Sequence, residues 1–296
     1  MPRLPLLATL RATTWRELAG WAFAAFSGIV VANLAAPATL KPFLHSAAVM
    51  APLLMLAAKD LAHAPEAWQR LRAASTLRAR LVALLPPELI GILRLDRQLW
   101  RGCLQRLRGR PMPQTLAQGV ALTYSERGAY GTARAVVLLT LVVGLPVDTL
   151  IINALVRDPD TQTVIHAVRA MAALFTLAWL LGDRWHLGAG VHVLSDDALH
   201  LAIGARSRGM LPLDAIDRFE QVDLAPREWR RRHGLAQTGI LTVTPFDKPN
   251  CVLVLKQDAQ IDILHYGVQR RLPRHVLLYV DRPQLLAAWV SRRGTA

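Results

Sequence analysis

The chain has little of what catalysis or metal binding usually needs. Of its 296 residues only two are cysteines, Cys103 and Cys251, far apart and outside any C-x-x-C or Cys/His ligand spacing. That argues against a disulfide framework and for a reducing compartment. Both read as small apolar residues. There is no H-E-x-x-H, no G-x-S-x-G, no phosphate-binding glycine loop and no pair of carboxylates placed for acid–base work. Zinc-finger, RNA-binding and basic-zipper patterns are also missing. The expectation is a non-enzymatic protein without metal or cofactor.

Acidic residues are scarce as well: 21 Asp and Glu face 35 Lys and Arg, a formal net charge of +14. A basic excess of that size suggests nucleic acid. Its placement argues otherwise, because it is mostly Arg in segments that flank apolar blocks, where the positive-inside rule puts it. No nucleic-acid partner is expected. Arg greatly outnumbers Lys, a bias of GC-rich bacterial genomes.

What is abundant is apolar sequence, 53% of the chain, gathered into blocks rather than spread evenly. Four helix-length blocks stand out: Ala19–Ala36, Leu44–Ala62, Ala135–Val156 and Val164–Gly182. Each is long enough to cross or nearly cross a bilayer. The first could instead be a cleaved signal peptide, with its basic leader and small residues at Asn33–Ala36, although a second apolar block follows almost at once. The proline-bounded link Pro37–Pro42 and the polar link Arg157–Thr161 are short, so the blocks form two antiparallel hairpins. This predicts an N-terminal transmembrane hairpin (1–62), a basic helical segment (63–134), a second hairpin (135–185) and a soluble β domain (186–296).

Orientation follows from Lys and Arg. The leader carries Arg3, Arg11 and Arg16, and the segment from Lys59 to Arg134 carries thirteen basic residues against five acids. The short links carry Lys41 and Arg157. The rule therefore places both termini in the cytoplasm and both links outside. Trp15, Trp21, Trp179 and Trp185 sit where an aromatic belt would.

Asp148 is the most pointed residue in the membrane part, because an intramembrane carboxylate is costly and marks a functional hypothesis. At 1.5 Å per residue it lies ~12 Å inside the outer end of the third block, and Arg169 lies ~8 Å inside the same end of the fourth. The two are expected to pair, with His166 nearer the surface. The pair reads as a structural lock or as part of a proton or ion relay. Pro146, two residues before Asp148, interrupts the helix.

In the basic segment, Pro65–Leu85 and Glu88–Arg108 read as helices. The second is amphipathic. Arg94, Arg97, Arg101 and Arg108 follow helical spacing along one edge, and Leu89, Leu93, Trp100, Leu104 and Leu107 fall on the adjacent face. That pattern suits a helix on the inner leaflet or one packed on the soluble domain. Asp96, on the apolar side, counts against the leaflet.

From Val191 the pattern becomes short alternating runs: Val191–Leu194, Leu199–Ile203, Met210–Leu213, Ile216–Val222, Gly239–Thr244, Cys251–Lys256, Ile261–His265 and Val276–Val280. Pro226–Gly234 is a polar insert carrying Arg227, Arg230, Arg231 and Arg232, a cluster that could meet anionic headgroups. Pro283–Arg292 reads as a helix capped by Asp281. His192 and His200 are expected in facing strands, close enough to approach each other. Short strands followed by one helix predict a small antiparallel barrel or sandwich with a helical plug.

Here the residues resemble a family. Val193-Leu194-Ser195-Asp196-Asp197-Ala198-Leu199, then Leu211-Pro212-Leu213-Asp214-Ala215-Ile216-Asp217, is similar to the start of bacterial PH-like domains. The ending from Leu277 to Leu286 is similar to their last strand and capping helix. The resemblance covers roughly the last third of the chain. The layout resembles uncharacterised four-helix bacterial membrane proteins ending in such a domain, a group with no catalytic residues to carry over. It implies an α+β protein of the bacterial inner membrane: a four-helix transmembrane bundle followed by a PH-like module. That module would bind a protein or anionic lipid headgroups. Homo-oligomerisation is left open. The other reading is a small transporter or channel component built on Asp148 and Arg169.

Overall fold

The computed structural model describes residues 10–11, 13, 15–113, 118–235, 239–244, 246–259, 261–270 and 273–291. Arg3 of the leader and Arg292 at the end of the last predicted helix lie outside them. The chain divides into two compact units, Met1–Ile90 and Gly91–Ala296.

The first unit holds helices α1 (Trp15–Ala35), α2 (Lys41–Ala62), α3 (Ala64–Ala73) and α4 (Leu77–Leu84). Helices α1 and α2 pack along each other as a hairpin. The start of the chain is tied to the far end of α2. The Lys59 ammonium donates to the carbonyls of Leu10 and Thr13, and Arg11 Nε donates to Ala62 O at 2.7 Å. The predicted helix over 65–85 is broken in two. Thr76 interrupts it and caps α4 by accepting from the Ala79 amide.

Helix α5 (Pro87–Leu107) begins in the first unit and runs into the second. The second unit continues with β1 (Val120–Thr123), α6 (Tyr130–Leu155), α7 (Pro159–Leu187), β2 (Val191–Leu194), β3 (Ala198–Ile203), β4 (Ser207–Pro212) and β5 (Ile216–Gln221). Then come α8 (Pro226–Arg232), β6 (Ile240–Val243), β7 (Cys251–Leu255), β8 (Asp262–His265), β9 (Val268–Arg270), β10 (His275–Leu278) and α9 (Pro283–Ser291).

Among the described residues three helices, α2, α6 and α7, are long and apolar enough to cross a membrane, where the sequence led us to expect four. The apolar stretch of α1, Glu17–Asn33, is shorter. At 1.5 Å per residue it falls short of a hydrocarbon core of ~30 Å.

Among the described residues the strands form two sheets and no closed barrel. The first has the order β1-β2-β3-β4-β8-β9, antiparallel throughout; the second runs β5-β7-β10-β6, with β10 and β6 parallel. The one parallel pair departs from the expected all-antiparallel unit. It follows from β6 and β10 being separated by three other strands, so no tight hairpin links them. One core joins both sheets. Leu199, Leu201, Ile203, Leu211 and Ile263 come from the first and Cys251, Leu253, Val276 and Leu278 from the second, with Leu286 and Trp289 of α9 closing it. Each such side chain contributes roughly 1.5–3 kcal/mol on burial. In β3 these residues alternate with the half-buried His200 and Ala202, the period of a strand with one buried face. Strand β7 is buried on both faces, because Val252 and Val254 point the other way and meet Trp229 of α8. The Arg-rich insert is therefore a short helix anchored by a buried tryptophan, not an open loop.

Strand β1 was not foreseen, and it sets the architecture. Val120 pairs with Leu194 and Thr123 with Val191, so β1 and β2 are antiparallel neighbours. Such neighbours are usually joined by a short turn. Here the whole hairpin α6–α7 lies between them in the chain. The chain leaves β1 at Thr123 and re-enters β2 at Val191, which lie about one strand spacing, ~5 Å, apart. Whatever side of a membrane β1 occupies, β2 occupies it too, so α6 and α7 can only cross as a pair.

Candidate functional site

Within the hairpin, the Asp158 carboxylate caps α7 by accepting from the Thr161 amide at 2.9 Å, with Pro159 at the first helical position. The Arg169 guanidinium meets the Asp148 carboxylate in an ion pair and also donates to the Gly144 carbonyl at 3.3 Å. Pro146 lies inside α6 and has no N–H to give the carbonyl four residues back. His166 does not join the pair. Its Nε2 lies 3.1 Å from Asn153 Oδ1 and ties the hairpin nearer its tip. The Asp148 side chain stays about half exposed at 53%.

The base of the hairpin is a second polar cluster, invisible in the sequence reading. Asp183, just before the last turn of α7, is buried. Its Oδ2 accepts from Tyr130 Oη at the start of α6 and from Arg206 Nη2 in the β3–β4 turn, both at 3.0 Å. The Arg206 guanidinium lies over the Phe246 ring, 4.5 Å from its centroid, and Phe246 stacks on Tyr130. Asp183 Oδ1 has no hydrogen-bond partner among the described residues. The cluster ties both helices of the hairpin to the sheets.

The loop from β1 to α6 is held by two carboxylates. Asp281 accepts from the amides of Glu126 and Arg127 at 3.1 and 3.0 Å, while its own amide donates to Thr123 O. Its oxygens therefore serve this loop, where the sequence suggested a cap for α9. Asp247 accepts from the Ala129 amide, and burial, its largest influence, raises its pKa above the ordinary carboxylate value. Tyr124 Oη donates to Ala202 O at 2.8 Å. Burial first and the nearby Asp183 second push the Tyr124 phenol far up, so it stays a neutral donor.

Helix α5 has three sides. Gly91, Leu95, Leu99, Gly102 and Cys103 are buried. Close approach explains the glycines: a Cβ on Gly182 of α7 would collide with the Leu99 carbonyl, and one on Gly102 would come 2.7 Å from His186 Cδ2. His186 Nε2 sits 2.8 Å from Gln98 O. The expected apolar side is the exposed one, with Leu93 and Leu107 at 55% and 69%. Arg94, Arg97, Arg101 and Arg108 are exposed along the third edge, Arg94 reaching Gly267 O at 3.5 Å. Asp96 is accounted for: it accepts from Trp179 Nε1 at 2.7 Å.

On α8, Arg227, Arg231 and Arg232 are exposed and Arg230 is half-buried. His192 and His200 do not approach. Val193 pairs with His200, so His192 lies opposite Leu201, and one residue of offset puts the two rings on opposite faces. His192 is fully buried against Tyr124, and its Nδ1 accepts from the Ala202 amide at 3.1 Å. Burial holds its pKa down at about 3, and burial also holds His265 at about 4. Among the described residues no three His, Cys, Asp or Glu side chains gather as a metal site.

Compared with known proteins, the chain matches no family model, no curated protein and no solved structure. The functional reading therefore rests on the geometry above.

Proposed function

We propose that this is a non-enzymatic, multi-pass protein of a bacterial inner membrane. It presents a PH-like β module at the cytoplasmic face, where the module binds a protein or anionic lipid. The observation that carries this reading is the insertion of α6–α7 between β1 and β2. A soluble domain on a flexible tether would need one linker. This one is entered and left through hydrogen-bonded strands and locked again by Tyr130, Asp183 and Arg206. Such a base holds one side of the sandwich at a fixed height above the membrane surface, as recognition of a membrane-bound partner requires. The basic residues on α5 and α8 favour the cytoplasmic side. The tie between Lys59 and the leader residues Leu10 and Thr13 favours an N-terminus on the same side as the end of α2.

The test is site-specific photocrosslinking of the full protein in native membranes, with the crosslinker on exposed positions of the β module such as Asp217 or Arg231. The reading expects a reproducible protein or lipid adduct that disappears when Leu253→Asp disrupts the core. Adducts that survive this core disruption contradict it. The ion pair of Asp148 and Arg169 supports a second reading, a small transporter or channel component, which ion and proton permeability of Asp148→Asn in liposomes tests.

A further inference from the structure

Helix α5 carries more chemistry than packing on the β module requires. At about 100° per residue its side chains fall into three sectors. One sector, Gly91, Leu95, Leu99, Gly102 and Cys103, is buried. The next holds Leu89, Leu93, Trp100, Leu104 and Leu107, all 38% exposed or more. The third holds Arg94, Arg97, Arg101 and Arg108, all exposed.

The direction of the apolar sector follows from its contacts with α7. The close crossing is at Gly182. From there Asp96 reaches Trp179, and the Trp100 ring meets Phe175 edge-on at 5.8 Å between centroids. Trp179 and Phe175 lie about one and two turns from Gly182 toward the middle of α7, a candidate span. The side of α5 that carries Trp100 therefore faces the way α7 enters the membrane. Asp96, the residue that counted against a leaflet contact, is satisfied by an indole N–H.

We infer that α5 is an interfacial helix that seats its leucine and tryptophan side in the inner leaflet and gathers anionic phospholipid headgroups along Arg94, Arg97, Arg101 and Arg108. The inference deepens the functional reading above and rests on its orientation. The chemistry fits. An apolar sector flanked by arginines is the pattern of helices lying in the interface plane. Guanidinium groups bind phosphate oxygens in bidentate fashion, and the cytoplasmic leaflet is the negatively charged one. A protein partner would leave the arginine edge without phosphates to meet; an anionic bilayer satisfies both sectors at once.

The experiment uses the full chain in nanodiscs of phosphatidylcholine with a minor fraction of phosphatidylglycerol, and native mass spectrometry counts the lipids retained on release. The wild type retains phosphatidylglycerol over phosphatidylcholine. Replacing the arginines with Gln weakens that retention about fivefold for each one removed, and the four-fold Lys variant restores most of it. The four side chains are exposed, so circular dichroism of the Gln variant remains that of the wild type. Equal retention of both lipids by the wild type, or a preference unchanged in the four-fold Gln variant, overturns the inference. A spin label at Leu104→Cys provides an independent check: protection from an aqueous nickel reagent supports leaflet seating, and free access overturns it. A C-terminal fluorescent fusion separates the two failures. If the C-terminus is cytoplasmic and the lipid counts are flat, only the role of α5 is wrong. A periplasmic C-terminus overturns α5 and the functional reading together.

Discussion

Asp183 sits near the C-terminal end of α7, just before its last turn, where the helix dipole does not favour an acid. It is buried there because Arg206 and Tyr130 come to it. Asp183→Asn keeps the shape but removes the carboxylate charge facing the largely buried Arg206, an expected loss of about 3–5 kcal/mol. The paired change Asp183→Leu with Arg206→Met should lie closer to the wild type than either single change, since both charges go together. Thermal unfolding in detergent measures this; equal losses that simply add would contradict the coupling. For Asp148→Asn the anchor reading expects reduced stability of the hairpin with unchanged ion and proton permeability in liposomes. A change in permeability with stability intact would favour the transport reading. The Asp148 pair was legible because both residues stand alone in apolar blocks. Asp183 was not, because it lies one residue beyond the last apolar run. Its partner is 23 positions away in a turn. An acid at a helix C-terminus was the signal that could have flagged it.

At the scale of elements, α5 and the strands show what periodicity can and cannot give. Strands β2, β3, β5, β7 and β8 were readable because apolar residues alternate or run together. β1 was missed: Val120–Thr123 is short and makes sense only beside β2. The apolar side of α5 was found correctly, yet the buried side is a different one, built on Gly91, Gly102 and Cys103. Small residues carry no hydropathy signal, although they allow the closest approach. Gly182→Ala should therefore cost about 1–3 kcal/mol, by pushing α5 away from α7; a thermal midpoint equal to the wild type would contradict the close crossing. The buried histidines give a pH dependence with a definite sign. The folded state keeps His192 and His265 neutral down to about 3 and 4, while the unfolded chain takes up protons near 6.5. Below 6.5 the unfolded state binds more protons, so stability falls as pH drops from 6.5 toward 4 and is flat for these groups above it. Asp247, with its raised pKa, works the opposite way: its burial penalty is relieved as pH falls. Two rings outweigh one carboxylate, so thermal midpoints should drop between pH 7 and pH 5, and less so in His192→Phe.

At the scale of the whole molecule, the pairing of β1 with β2 constrains the topology more than hydropathy does. Any crossing by α6 and α7 is therefore made as a pair, which keeps the β module on one side whatever the status of α1. The sequence showed the basic segments and the β-rich end. It could not show that the membrane hairpin is an insertion, because the pairing joins residues about seventy positions apart. In the proposed topology this hairpin crosses the membrane from a β module on the inner face. The most direct measurement is cysteine accessibility in intact cells with a membrane-impermeant maleimide, using Thr161→Cys in the hairpin tip and Arg231→Cys on α8. The native Cys103 and Cys251 are buried and contribute little background. The account predicts labelling of Thr161→Cys in intact cells and of Arg231→Cys only after permeabilisation. Labelling of Arg231→Cys from outside, or protection of both until the cells are opened, would contradict it.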